Sequence, residues 1–223
     1  MPGRRSILAG GIARALSASR VIHSQQAVHT VDQFAHRRVA RAEGFTVPID
    51  MHYVDELIAV RRRQHGGLRG APVIVGGYRE GESLNRSCIV MLSALIQGFV
   101  EDVFVTVSTQ VLRKLANADA LRKYRTTFNR WGNPNPENLI ALFARIGIED
   151  VLDGLSWRNC ANPTVRSRLR NLNQLRNDIA HGHQELKVDG TVVSLSLAHA
   201  NGYRDFAEQF GVRFENHVTR QLN

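Results

Sequence analysis

The stretch from Ile89 to Leu115 constrains the fold more than any other part of the chain. Its apolar residues, Ile89, Val90, Leu92, Leu95, Ile96, Phe99, Val100, Val103, Phe104, Val107, Val111 and Leu112, recur at helical spacing yet cover almost every side. A helix that is apolar all round is buried on more than one face. A chain of 223 residues can bury one sizeable core. The economical reading is therefore that one face of this helix meets a second protomer. The β-branched run Val103-Phe104-Val105-Thr106-Val107 has a strand-like composition, but the flanking helical period outweighs it. The most apolar part, Cys88 to Val100, contains Ser93 and Gln97 and meets Glu101-Asp102. It reads as too short and too interrupted to span a bilayer, so no membrane is expected.

Other helices supply the cover. One is expected from about Asp50 to Gln64, with Tyr53, Leu57 and Val60 beside Val54 and Ile58, and Arg61-Arg62-Arg63 in its last turn, where cations favour the dipole. A weaker one is expected from Val31 to Ala42, and a polar one from about Ala118 to Thr126. Glycines 66, 67, 70, 76, 77 and 81 lack the spacing of a nucleotide-binding fingerprint and read as a loop. Ser83 or Asn85 is the expected cap of the long helix. After the turn at Trp131-Gly132-Asn133-Pro134, a short helix opens at Pro136 with Asn135 as its cap; Leu139, Leu142, Phe143 and Ile146 form its apolar face and Gly147 stops it. The next helix begins at Asn162-Pro163-Thr164 and ends at Gly182. Leu186-Lys187-Val188 and Thr191-Val192-Val193 around Asp189-Gly190 read as a β-hairpin. A last helix is expected from about Tyr203 to Thr219, with Phe206, Phe210 and Phe214 at one-turn spacing. The fold class is all-α with a small hairpin.

A net charge of +9 and a pI of about 10.5 make a polyanion a natural partner. The two cysteines, Cys88 and Cys160, offer no disulfide framework and fit a reducing, cytoplasmic compartment. Residues 1–31 carry Arg4, Arg5, Arg14 and Arg20 without an acid, a pattern shared by transit peptides, nucleic-acid arms and disordered leaders. We read residues 1–45 as a basic, disordered leader and 46–223 as one helical domain. No metal-ligand cluster or cofactor motif is visible.

The helix that ends at Gly182 carries the chemistry. Val165, Leu169, Leu172, Leu175 and Ile179 form a continuous apolar stripe, and Arg176, about 40° from Leu172, falls inside it. A charge on a buried stripe needs a partner or a ligand. Arg176 presents a permanently charged fork of donors that suits a phosphate, and His181 can exchange a proton near neutrality. Asn177 and His181 are one turn apart, so Asn177 is placed to orient the imidazole. Arg176 and His181 lie about 140° apart on an ideal helix, so either the helix end unwinds at Gly182 or two copies of the helix build the site. Arginines 158, 166, 168, 170 and 176 occur between Gly154 and Asn177 without an acid. Arg166, Arg168 and Arg170 divide evenly between a solvated basic face and an RNA-tracking role.

At these residues the sequence resembles the HEPN superfamily, marked by Arg-x4–6-His with Asn, Asp or His directly after the arginine, here Arg176-Asn177-Asp178-Ile179-Ala180-His181. Ser87 to Glu101, the Asn133-Pro134-Asn135-Pro136-Glu137-Asn138 turn and Ile146-Gly147-Ile148 are similar to the RiboL-PSP-type branch, over roughly residues 50–220. One departure is Gln97, where that branch leads one to expect glutamate. The resemblance implies an all-α bundle dimerising through its long helices, with two motifs in one basic cleft. It also implies a metal-independent endoribonuclease of a toxin–antitoxin or phage-defence system, with RNA, a second copy and an antitoxin protein as partners. His181 would be general base or acid, Arg176 would stabilise charge on the phosphoryl group, Asn177 would orient, and Asp178 would hold either partner. His183 is read as a bystander. The alternative is a non-catalytic RNA- or nucleotide-binding or dimerisation module of the same fold.

Overall fold

The structure, a computed structural model, describes residues 48–64, 73–75, 78–112 and 131–222. The proposed leader, the helix over 31–42, the polar helix over 118–126 and most of the glycine-rich connection lie outside the described residues. Helix α1 spans His52–Gln64, α2 Glu82–Leu112, α3 Pro136–Ala144, α4 Asn162–Ala180 and α5 Leu197–Gln221. Two antiparallel ribbons accompany them, β1 (Ile74–Val75) with β2 (Tyr78–Arg79), and β3 (Leu186–Val188) with β4 (Thr191–Val193). The all-α reading with a small hairpin after the motif helix holds.

Helix α2, 31 residues long, is the axis of the described fold. It packs against α1, α3, α4 and α5 of the same chain. Ile89, Leu92, Ile96, Val100 and Val103 are fully buried in that ring of helices. The all-round apolar character is thus met largely within one chain, which corrects the argument that it requires a second protomer. The expectation that the stretch is too short to cross a bilayer is also corrected. By length and composition alone α2 is long and apolar enough, and the reason it is so apolar is that it is the core helix, more than half covered by its neighbours.

The start of α2 departs from expectation. The chain turns at Gly81 (φ +72) and the helix begins at Glu82, leaving Ser83 and Asn85 inside it. Gly81 has no room for a Cβ because the Arg61 side chain lies against it. Arg61 is buried with Val54 and Ile58, whereas Tyr53 and Val60 face solvent, so the buried face of α1 is rotated from the expected one. Asn85 instead donates from Nδ2 to the Leu195 carbonyl (2.8 Å), tying α2 to the segment before α5.

Helix α3 forms as the sequence dictates. The Asn135 side chain accepts from the Asn138 amide at 2.7 Å, and Pro136 fills the first turn. The β3–β4 hairpin turns through Asp189 (φ 48) and Gly190 (φ 77), the two positive angles that a two-residue turn of this hand needs. Helix α5 starts six residues before the expected Tyr203 because Ser196 caps it. The Ser196 hydroxyl accepts from the His199 amide while His199 Nδ1 accepts from the Ser196 amide. Its phenylalanines knit the core, with Phe210 stacked on Phe214 at 4.7 Å and Phe143 edge-on to both Phe214 and Phe104.

Candidate functional site

Helix α4 is positioned by Val165, Leu169, Leu172 and Leu175, all fully buried. The fifth buried position is Asp178 rather than Ile179, which is half-buried, and Arg176 is half-buried beside the stripe. The helix ends in a full glycine closure. Gly182 takes φ +74, its amide donates to the Ile179 carbonyl (3.1 Å), and the His183 amide donates to the Asp178 carbonyl (2.8 Å). His181 is the capping residue itself, with φ −87 and ψ 3, and it is exposed at the surface.

Arg176 is engaged by its neighbour. Its Nη1 donates to Asn177 Oδ1 (3.1 Å), and the same oxygen accepts from Asn133 Nδ2 (3.0 Å). The turn at Asn133-Pro134 therefore reaches the motif directly. Asn177 orients the arginine, not the imidazole, which corrects the expected pairing with His181. Among the described residues no hydrogen bond joins Arg176 to His181, as their separation around the helix requires.

Asp178 is held on the other side. Its carboxylate accepts from Gln174 Nε2 (2.7 Å) and lies 3.3 Å from His183 Nδ1. Asp178 thus faces His183 and not Arg176 or His181. The His181 and His183 rings lie 6.1 Å apart between centroids, so two imidazoles share this helix end. Arg86 of α2 fixes the chain beyond it, donating to the carbonyls of His183 and Gln184 at 3.0 Å each while paired with Glu82. A cleft of about 500 Å³ opens there, lined by Arg79, Glu82, Arg86, His183 and Gln184 among others. Sequence reasoning read His183 as a bystander and passed over Arg86. The signal for His183 was its place next to the closing glycine, whereas nothing local marks Arg86.

The expected basic track over Arg166, Arg168 and Arg170 is not a free one. Arg166 pairs with Asp150 at 2.7 Å and with the Asn162 side chain. Arg168 donates to the Gly202 carbonyl and lies over the rings of Tyr203 and Phe206 at about 6 Å. Burial there pushes the Tyr203 hydroxyl up to about 12, against the pull of Arg168. Arg170 pairs with Glu137 at 2.8 Å and remains more than half exposed. The acids absent from the local sequence arrive from Asp150 and from α3. In the same way the Gln97 departure is met within α2: Gln97 donates to Glu101 (3.3 Å), which also accepts from the Trp131 indole (2.8 Å). Among the described residues, no three His, Cys, Asp or Glu side chains gather in the manner of a metal site.

A helical bundle around one apolar helix, carrying an arginine and an exposed histidine at a glycine-closed helix end, is the architecture of a HEPN-type domain. The family model for RiboL-PSP-HEPN matches residues 76–220, well over half of the chain, and the chain belongs to that family. HEPN domains are often ribonucleases or nucleotide-binding modules, and they commonly bind RNA and dimerise. No curated protein and no solved structure matches the chain.

Proposed function

We propose that this protein is a metal-independent endoribonuclease that cleaves RNA by attack of a ribose 2′-hydroxyl on the adjacent phosphate. The observation that supports it most is the contrast between the two motif side chains. Among the described residues His181 is exposed with only the His183 ring beside it, while Arg176 is steadied by an Asn177 that Asn133 itself holds. A scaffold gains nothing from steadying a half-buried arginine on a helix that ends in an exposed imidazole. His181 serves as general base for the 2′-hydroxyl, and Arg176 stabilises charge on the phosphoryl oxygens in the transition state. Two copies of the chain bring their helix ends together on one RNA, since Arg176 and His181 do not meet within one helix. Of the three expected RNA contacts, Arg170 is the one exposed enough to reach a phosphate. The setting is a toxin–antitoxin or phage-defence system in the cytoplasm, with an antitoxin protein as the restraining partner.

The test is incubation of the purified protein with structured and single-stranded RNA in EDTA, beside His181→Ala and Arg176→Ala. The expected outcome is cleavage to 2′,3′-cyclic phosphate ends by the wild type, slowed by about 10²-fold or more in each variant. If all three leave RNA untouched yet retard it on a gel, the protein is an RNA-binding module of the same fold.

A further inference from the structure

Transesterification of RNA moves two protons. One leaves the attacking 2′-hydroxyl and the other must reach the departing 5′-oxygen, which is a poor leaving group as an alkoxide. His181 and Arg176 account for the first proton and for the charge on phosphorus, and leave the second without a donor. His183 stands where such a donor is needed. Its ring centroid lies 6.1 Å from that of His181, so the two imidazoles share one exposed helix end, close enough to serve one phosphodiester. Its side chain is 60% exposed, whereas the Asp178 side chain facing its Nδ1 is only 9% exposed. A nearly buried carboxylate, itself held by Gln174 at 2.7 Å, lies 3.3 Å from His183 Nδ1 and fixes the ring. With Nδ1 turned to Asp178, Nε2 is the nitrogen left for a substrate. His183 also lines the cleft of about 500 Å³ beside the turn, which has room for the nucleotide on the leaving side. Arg86 holds the backbone under the ring through the His183 and Gln184 carbonyls.

We propose that His183 is the general acid of the reaction, positioned by Asp178, with the leaving nucleotide in the cleft that His183 lines. This inference rests on the ribonuclease reading above. In the step, His181 takes the 2′-hydroxyl proton and the 2′-oxygen bonds to phosphorus. The bond from phosphorus to the 5′-oxygen breaks, its electron pair stays on that oxygen, and His183 Nε2 delivers a proton there. The products are a 2′,3′-cyclic phosphate and a 5′-hydroxyl end. The two imidazoles have then exchanged protonation states, and proton exchange with water restores them.

The experiment compares an RNA cut by the wild type with the same RNA carrying a bridging 5′-phosphorothiolate at the cut site, where sulfur departs without a proton. His183→Ala is expected to slow cleavage of the ordinary RNA by about 10²-fold or more and to regain near wild-type rate on the phosphorothiolate. Asp178→Asn is expected to follow the same pattern more weakly, while His181→Ala is slow on both. Equal loss by His183→Ala on the two substrates, or no loss on either, overturns the assignment and leaves the ribonuclease reading standing. A wild type that cuts neither RNA overturns that reading and this assignment together.

Discussion

At the residue scale, the site divides into two short hydrogen-bonded chains that leave one helix in different directions. Asn133, Asn177 and Arg176 form one, and Gln174, Asp178 and His183 form the other. The first makes a quantitative prediction. Asn133→Ala and Asn177→Ala each free the Arg176 side chain, so each is expected to lower kcat/KM for RNA with little change in Tm. Because both act through one amide oxygen, the double variant is expected to lose less than the sum, with a coupling of about 0.5–3 kcal/mol in a double-mutant cycle. Strict additivity would show that Asn133 and Asn177 act independently. The Arg176-to-His181 spacing was legible in the sequence, because both residues lie on one helix. The roles of Asn177 and Asp178 were misassigned, since a helical wheel gives directions but not which of two near neighbours a flexible side chain meets. Arg166 and Arg170 of α4 show the same limit: their acids, Asp150 and Glu137, are distant in sequence or on another helix.

At the element scale, local rules succeeded wherever the signal was contained in a few residues. The Asn135 cap of α3 and the Asp189-Gly190 hairpin are both of that kind. They failed at the starts of α2 and α5. Helix α2 begins just after a glycine that accommodates Arg61, a contact invisible in sequence, and α5 hides its capping box because histidine replaces the usual glutamate and Asn201-Gly202 resembles a turn. The closure of α4 matters most to function. A Cβ added at Gly182 meets nothing within 4 Å, so the cost of Gly182→Ala lies in the backbone at φ +74. That cost is about 1–2 kcal/mol, read as a lower denaturation midpoint at unchanged slope. Activity is expected to fall further than stability, because the turn sets both imidazoles. A fully active Gly182→Ala would show that the closure is not part of the site.

At the scale of the whole molecule, the core and the chemistry are separate. The phenylalanine cluster and α2 hold the bundle together, while His181 and His183 project, exposed, beyond Ile179, the last residue of α4 packed against the core. The apolar face of α2 does not decide oligomeric state, because one chain already covers it. The case for a dimer rests instead on the divergence of Arg176 and His181. Sedimentation is expected to show a dimer at micromolar concentration, and a monomer that cleaves RNA at full rate would mean that one helix end suffices. The chain has only two tryptophans, and the bundle has set them in unlike surroundings. Trp157 lies against Phe206 among core residues, whereas the Trp131 indole is bonded to Glu101 two residues from the Asn133 that touches the motif. Intrinsic fluorescence from this protein therefore carries two optical channels, one tuned to collapse of the bundle and one to events around Arg176.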